Sequence, residues 1–235
     1  MTHYPWNMIE FANAFGLNRN LAERIQHLLE GGIRHRGRAS LVVSGGTTPV
    51  ALFEALSGAD LSWEKVVISL ADERWVDPGS PDSNEHLVRT HLLKNKAAAA
   101  GFIGLKTPDG NAGAGEAACE KRIRQIPVPF DLLILGMGDD GHTASLFPGA
   151  SALPGALDMA SERTSMAVTA PAAPHDRMTL TLPALLNSRL IFVHIVGEKK
   201  RQVYEKAIAG ESPEEMPIRA ILGQKKVPVT VWWAP

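Results

Sequence analysis

The stretch DLLILGMGDDGHTASLFPG, from Asp131 to Gly149, joins an apolar strand to a glycine-rich turn. The turn has the spacing G-x-G-x-x-G, formed by Gly136, Gly138 and Gly141. In dinucleotide-binding proteins this spacing lets backbone N–H groups approach a pyrophosphate. Here Asp139 and Asp140 stand between the glycines, so negative charge occupies the place where the diphosphate should lie. The stretch therefore predicts a buried strand and a tight turn, but it does not favour a nucleotide.

Strand and helix patterns alternate along the rest of the chain. The predicted strands are Ser40–Ser44, Val66–Ala71, Asp131–Gly136, Ser165–Ala170, Leu190–Val196 and Val229–Trp233. The predicted helices are Asn18–Glu30, Pro49–Leu56, Ser83–Leu93, Ala114–Gln125 and Glu198–Ala209. Most of the strands are continuously apolar, which is typical of parallel strands covered on both faces. We therefore predict one α/β domain, residues 1–235, with three α/β/α layers and a mostly parallel, Rossmann-like sheet with helices on both faces.

Composition narrows the class of protein. The chain has 235 residues, of which 45% are hydrophobic and 21% charged, and its formal net charge is -1. This composition supports a large buried core and lacks the basic surface that a nucleic-acid partner requires. The single cysteine, Cys119, lies in an alanine-rich segment, which predicts a buried thiol and a reducing compartment. Because neither a signal peptide nor a membrane-length apolar run is present, we expect a cytoplasmic protein with no membrane partner.

The segment SGGTTP, from Ser44 to Pro49, follows the first predicted strand, where ligands of parallel sheets collect. Gly45 and Gly46 permit a sharp turn, and the N-terminus of the next helix attracts phosphate. Thr47 adds a hydroxyl group, and no Gly-Lys-Ser/Thr follows, so a monophosphate fits better than a nucleoside triphosphate. Two interpretations stay open: a phosphate site, or an ordinary helix start capped by Thr48.

A charged cluster follows the second predicted strand. Asp72, Glu73 and Arg74 arrive together at the strand end, and a long polar loop then leads to a helix that we expect to be capped near Ser83. The cluster could offer a carboxylate to polar substrate groups and a cation to an anion. A solvated turn is the alternative, and the cluster by itself does not exclude it.

His142 follows the glycine-rich turn, two residues after Asp140, at a point where we expect a helix to begin. Histidine titrates near neutral pH, and a nearby carboxylate orients its ring and stabilises its protonated form. The pair is therefore a candidate general base. Neither Ser44 nor Ser145 lies in a G-x-S-x-G elbow, which argues against an acyl-enzyme nucleophile. No metal-binding motif is present, so we expect no metal.

Three motifs together, VSGGTTP, ADERWV and LILGMGDDGHTASLFPG, resemble the 6-phosphogluconolactonase family, within the wider group that contains the glucosamine-6-phosphate deaminases/isomerases. The resemblance continues through Asp176–Lys200 and Met216–Leu222 and so covers nearly the whole chain. It implies hydrolysis of 6-phospho-D-glucono-1,5-lactone to 6-phospho-D-gluconate in the oxidative pentose phosphate pathway, without a cofactor. The partner would be a small sugar-phosphate lactone. The sequence leaves the oligomeric state open, with a monomer slightly favoured.

The resemblance also assigns roles to residues of this chain. His142 matches the general base that activates water, and Asp140 is the aspartate beside it. The positions implied to bind substrate or phosphate are Ser44, Gly45, Gly46, Thr47, Asp72, Arg74, Arg177 and Lys200. Lys199 and Arg201 flank Lys200 and leave open which of the three faces the phosphate. His175 matches no functional position and is expected to be structural.

Three alternatives remain for the function. An amino-sugar phosphate deaminase/isomerase typically carries a glutamate after the motif histidine, whereas here no acid occurs between His142 and Asp158. A non-catalytic sugar-phosphate sensor would usually carry a DNA-binding segment, which the sequence lacks. A nucleotide-dependent oxidoreductase needs a ribose-binding acid at the end of the next strand, whereas Asp158 lies in the segment GALDMASE and not at a strand end.

The sequence leaves open the δ- or γ-lactone preference and whether residues 75–83 close over a substrate.

Overall fold

A computed structural model of the protein describes residues 7–171 and 174–235. Its strands are β1 (Asn7–Glu10), β2 (Ala39–Val43), β3 (Val66–Leu70), β4 (Asp72–Arg74), β5 (Gly101–Ile103), β6 (Leu132–Leu135), β7 (Ser165–Thr169), β8 (Asp176–Leu180), β9 (Ile191–Val196) and β10 (Val229–Ala234). Its helices are α1 (Ala14–Arg36), α2 (Val50–Ser57), α3 (Asn84–His91), α4 (Ala112–Ile123), α5 (Leu153–Leu157), α6 (Leu182–Leu185), α7 (Glu198–Ile208) and α8 (Ile218–Leu222). Short 3-10 turns cover Trp63–Lys65 and Asn95–Ala99.

The main sheet has seven parallel strands in the order β1-β10-β9-β6-β2-β3-β5. Every residue of β2 and β6 is buried, as expected for strands covered on both faces. The predicted fold class, a Rossmann-like α/β architecture with a mostly parallel sheet, is confirmed. From β2 the chain builds β3 and β5 on one side, returns to β6, and then builds β9 and β10 on the other side. The strand order therefore reverses between β2 and β6, which opens a crevice there.

A second, antiparallel sheet of three strands has the order β4-β8-β7. The strand predicted at Ser165–Ala170 is present as β7, but it pairs antiparallel in this small sheet and lies outside the parallel sheet. The chain passes from one sheet to the other at Ala71, whose N–H donates to the Val43 carbonyl at 2.8 Å while its carbonyl accepts from the Leu180 N–H at 2.9 Å. As a result β4 extends away from the main sheet and carries its charged side chains with it.

The glycine-rich turn does not lead into a helix, contrary to the prediction. Gly138 N–H donates to the His142 carbonyl at 2.8 Å, which closes the turn on itself. Gly141 (φ 78°) and Ala144 (φ 48°) both have left-handed backbone conformations, which an α-helix cannot accommodate. The next helix starts only at Leu153. His142 is thus presented by an irregular segment rather than by a helix N-terminus.

The core is formed by the parallel sheet and the helices packed on it. On α1, Leu17, Leu21, Ile25 and Leu29 recur every four residues and are fully buried. Cys119 is buried as expected, and burial raises the pKa of its thiol to about 11, so it is a packing residue rather than a nucleophile. Within the described ranges no helix is both long and apolar enough to cross a membrane.

Candidate active site

A cleft of about 360 Å³ opens at the carboxyl ends of β2 and β6, in the crevice where the strand order reverses. Nine of the ten predicted site residues line it: Ser44, Gly45, Gly46, Thr47, Asp72, Arg74, His142, Arg177 and Lys200. The tenth, Asp140, contacts His142 from outside the lining. Residues from five separate segments of the chain therefore meet at one cleft.

His142 and Asp140 form a closely paired dyad. The Asp140 Oδ1 atom lies 2.6 Å from His142 Nδ1 and also accepts the His142 backbone N–H at 3.0 Å. Because a carboxylate oxygen accepts hydrogen bonds, this contact favours the neutral tautomer with the proton on Nδ1, in which Nε2 carries the lone pair. No hydrogen bond reaches Nε2 from the residues that the structure describes. The Phe147 ring packs against the imidazole with centroids 4.5 Å apart and fixes its plane.

Gly138 provides the space that the dyad occupies. A Cβ atom at this position would lie 2.1 Å from His142 Nδ1 and 2.6 Å from Asp140 Oδ1. Any side chain here would therefore displace both groups. The central glycine of G-x-G-x-x-G is required by a histidine and a carboxylate, not by a pyrophosphate.

The SGGTTP segment forms a tight loop beside the dyad. The Ser44 N–H donates to the Ile134 carbonyl at 3.0 Å, which joins the loop to the end of β6, while Ser44 Oγ is buried without a partner among the described residues. Gly46 has φ 95°, a conformation that favours glycine. The alternative interpretation of this segment is wrong in its detail, since Pro49 is the N-cap of α2 and no side chain caps that helix.

Two arginines stand side by side at the cleft on the small sheet. Arg74 of β4 and Arg177 of β8 are directly paired across the strands. Arg177 is only 6% exposed, and its Nε has no partner within the described residues. Burial, followed by the charge of Arg74, lowers the pKa of Arg177. Two cations therefore meet at one wall of the cleft, although burial and mutual repulsion both act against the charge of Arg177.

The three basic residues of α7 have different environments. Lys200 lines the cleft, and its Nζ donates to the Met137 carbonyl at 2.7 Å and lies 2.7 Å from Asp139 Oδ1. Lys199 also pairs with Asp139 but stays exposed, and Arg201 binds Glu10 and stacks on Trp233. Hydrogen bonds from Lys199 and then Lys200 lower the pKa of Asp139 to about 2. Of the three candidates, Lys200 is therefore the one that faces the cleft.

Glu73 is a structural residue rather than part of the cleft. It is fully buried, and its carboxylate accepts from the backbone N–H groups of Arg74, Asn84 and Glu85 and from the Ser83 hydroxyl, at 2.7 to 3.0 Å. Burial raises the pKa of Glu73. Ser83 caps α3, as predicted.

His175, expected to be structural, lies outside the cleft lining and pairs with Asp82 at 3.2 Å.

Two residues at the cleft were missed by sequence reasoning. Asn84, at the first position of α3, and His194, in β9, both line the cleft and are almost fully buried. The signal for Asn84 was its place directly after the Ser83 cap, where the long loop returns to the strand ends. His194 gave no signal, because a histidine within an apolar strand reads as a core residue. Both nitrogens of its ring lack partners in the described structure.

The pH dependence of stability is expected to include a contribution from His194. Burial lowers its pKa to about 4, whereas the unfolded-state pKa is about 6.5. Between these values only the unfolded chain binds the proton, so the contribution is complete above about pH 6.5 and is lost as the pH falls toward 4. The free energy of unfolding is measured with urea for the wild type and for His194→Met at pH 7 and pH 4.5. Between these pH values it should fall by about 2 kcal/mol less in the variant than in the wild type. An unchanged loss would contradict this account, and replacement of the exposed His35 by glutamine is the control.

The fold and the cleft define a class of protein: an α/β protein with a cleft at the topological switch point, where His142 and three basic side chains line the cleft. Residues 12–232 match the family model described as glucosamine-6-phosphate isomerases/6-phosphogluconolactonase. The chain belongs to this family.

Individual proteins of this family are similar to the chain over nearly its whole length. The chain is 42% identical over 217 residues to a 6-phosphogluconolactonase of Pseudomonas aeruginosa, covering 92% of this chain and 90% of the relative. It is 43% identical over 232 residues to a 6-phosphogluconolactonase of Mesorhizobium japonicum, covering 99% and 96% of the two chains. A crystal structure of a 6-phosphogluconolactonase from Shewanella baltica superposes with a TM-score of 0.96 at 44% identity and 98% coverage of both chains.

Proposed function

We propose that the protein hydrolyses 6-phospho-D-glucono-1,5-lactone to 6-phospho-D-gluconate, a reaction of the oxidative pentose phosphate pathway. The observation that carries the proposal is the His142–Asp140 dyad at a cleft whose other wall holds Arg74 and Arg177. A base on one side and cations on the other suit an electrophilic carbonyl in a molecule that also carries a phosphate. The lactonases at 42% and 43% identity over nearly the whole chain support the choice of substrate.

In this proposal His142 Nε2 removes a proton from water as the water oxygen forms a bond to the C1 carbonyl carbon. The negative charge of Asp140 stabilises the resulting imidazolium at 2.6 Å from Nδ1. The tetrahedral intermediate then collapses, the bond between C1 and the ring oxygen breaks, and the imidazolium returns its proton to that oxygen. One water and one lactone thus give one molecule of the free acid, and His142 returns to its starting protonation state. General-base assistance of this kind is typically worth about 10²- to 10⁴-fold.

The cationic wall and the SGGTTP loop bind the anionic groups. Arg177 and Lys200, together with the Ser44–Thr47 loop, hold the phosphate and so fix C1 against His142. Arg74 lies beside Arg177 and is available to the oxyanion that develops at C1. The interactions with the remote phosphate provide the orientation that the chemical step requires.

The amino-sugar deaminase alternative requires a glutamate in the segment after the motif histidine, and no acid occurs between His142 and Asp158. The segment after His142 supplies Ser145, which binds Asp72, and Phe147, which packs on the imidazole. The deciding experiment follows both reactions with purified protein: hydrolysis of freshly generated 6-phosphogluconolactone, corrected for spontaneous opening, and deamination of glucosamine 6-phosphate. We expect turnover of the lactone only. Turnover of the amino sugar alone would reject the proposal.

Replacement of Arg177 by methionine is expected to raise KM for the lactone about 30-fold, because hydrogen bonds to a charged group contribute roughly 2 kcal/mol. The same change should leave the free energy of unfolding unchanged or increased, since it removes a buried charge that lies beside Arg74. Steady-state kinetics and urea unfolding measure the two effects. Arg89→Met, which removes an arginine paired with Glu85, is the control and should leave KM unchanged. Loss of stability without a change in KM would contradict the assignment.

A further inference from the structure

Asp72 is a buried carboxylate with unused capacity to accept hydrogen bonds. It is 6% exposed and lines the cleft. The fully buried Ser145 hydroxyl donates to its Oδ2 at 2.6 Å, and Asn84 Nδ2 lies 3.4 Å from its Oδ1. These are its side-chain donors among the described residues. Because a carboxylate offers about four acceptor sites, Asp72 is held firmly on one oxygen and remains available on the other.

The Asn84 side chain lies beside Asp72 and carries an acceptor atom that has no partner among the described residues. Its Nδ2 donates to the Asp72 carbonyl at 2.9 Å, and this contact fixes which end of the amide is the nitrogen. The opposite end, Oδ1, faces the Gly45 backbone, where a Cβ would lie 1.9 Å away. Asn84 is 2% exposed, and Oδ1 has no donor within the described chain. A buried acceptor without a donor is costly unless a ligand supplies one.

The cleft is therefore divided by hydrogen-bonding type. Arg74, Arg177 and Lys200 can only donate, whereas Asp72 and the Asn84 amide oxygen can only accept. A ligand that satisfies both sides must carry negative charge at one part and O–H or N–H donors at another. Phosphate supplies the charge but, when ionised, not the donors, so the acceptor side must recognise a different part of the molecule.

We propose that Asp72 and Asn84 form a hydroxyl-recognition wall and that Ser145 is the positioning residue that holds the Asp72 carboxylate for it. This inference rests on the proposed function and deepens it by assigning the specificity for a polyhydroxylated chain. The Ser145 hydroxyl holds Asp72 Oδ2 at 2.6 Å and so restricts rotation of the carboxylate. The carboxylate then meets the sugar hydroxyl groups in one orientation, which makes the wall selective for hydroxyl groups rather than for charge alone.

Two ligands of equal length and charge test the inference: 6-phospho-D-gluconate and 6-phosphohexanoate, which lacks the hydroxyl groups. Calorimetric Kd values are measured for the wild type, Ser145→Ala and Asn84→Ala. We expect each variant to bind 6-phosphogluconate about 3- to 10-fold more weakly, as for a lost hydrogen bond, and to bind 6-phosphohexanoate as the wild type does. The ratio of the two Kd values is thus the diagnostic quantity, because general damage to the fold weakens both ligands.

Ser69→Ala is the matched control, because Ser69 is also fully buried and donates one hydrogen bond, at 2.7 Å to the Ile103 carbonyl, away from the cleft lining. It should change neither Kd. An equal loss of affinity for both ligands in Ser145→Ala and Asn84→Ala, or no loss for either, overturns the inference. If Ser145→Ala does not fold, Asn84→Ala alone decides. A wild type that prefers 6-phosphogluconate but does not hydrolyse the lactone would reject the proposed function and leave the recognition wall standing.

Discussion

His142→Gln is expected to lower kcat for lactone hydrolysis by about 10²- to 10⁴-fold while KM changes little. Glutamine retains a polar side chain of similar length but cannot take a proton at neutral pH, so the attacking water loses its base. The phosphate contacts are made by other residues, and substrate binding should therefore persist. Initial rates must be corrected for spontaneous opening of the lactone, which sets the lower limit of the assay.

The chain contains a matched control for this substitution. His91 pairs with Glu54 at 2.7 Å and its side chain is 30% exposed, whereas His142 pairs with Asp140 at 2.6 Å and its side chain is 32% exposed. His91 does not line the cleft, so His91→Gln should retain wild-type kcat. If both variants keep full activity, His142 is not the base, and the chemical step must depend on another group.

Gly138→Ala is expected to lower kcat about 100-fold, although it adds one methyl group. The new Cβ would lie 2.1 Å from His142 Nδ1, so the imidazole and its aspartate must move away. A displacement of about 1 Å at a catalytic group can cost this much rate. Binding of 6-phosphogluconate should be less affected than kcat, because Arg74 and Arg177 are held by β4 and β8 and not by the glycine-rich turn.

The control for Gly138→Ala is Gly31→Ala, in α1, where an added Cβ would meet no atom within 4 Å. It should leave kcat unchanged and, as an alanine within a helix, increase stability by about 0.5 to 1 kcal/mol. Wild-type kcat in a correctly folded Gly138→Ala protein would show that the dyad tolerates the displacement and would remove the steric explanation for the central glycine.

Much of the parallel sheet was predictable because its strands are continuous apolar runs. β2, β6 and β9 are nearly fully buried, and burial on both faces leaves a clear pattern in the sequence. The small sheet was not predictable in the same way. β4 has the sequence Asp-Glu-Arg, which follows no strand pattern, and it forms because Ala71 links it to both sheets. Tertiary context therefore outweighs local propensity there.

The predicted site residues came together because loops after parallel strands share one edge of the sheet. The pairing of Asp72 with Ser145 and Asn84 could not be read from the sequence, since these contacts join positions 73 and 12 residues apart across loops without a regular pattern. For Glu73 the error runs the other way, because the sequence suggests a place in the site and the structure gives it a buried, structural place. It has the charge and the position of a site residue, but its side chain is buried and accepts the backbone N–H groups of Asn84 and Glu85 at the start of α3.

This role of Glu73 has a consequence for how the loop can change in evolution. Its single carboxylate binds the backbone of Arg74 and of Asn84, which are the two ends of the intervening loop. Once the ends of a loop are fastened, extra residues add little entropic cost. We therefore expect residues 76–81 to tolerate insertions and deletions, while Glu73→Gln or Glu73→Ala would disturb both walls of the cleft at once. Selection can therefore change the outer loop while the distance between the Arg74 guanidinium and the Asn84 amide stays constant.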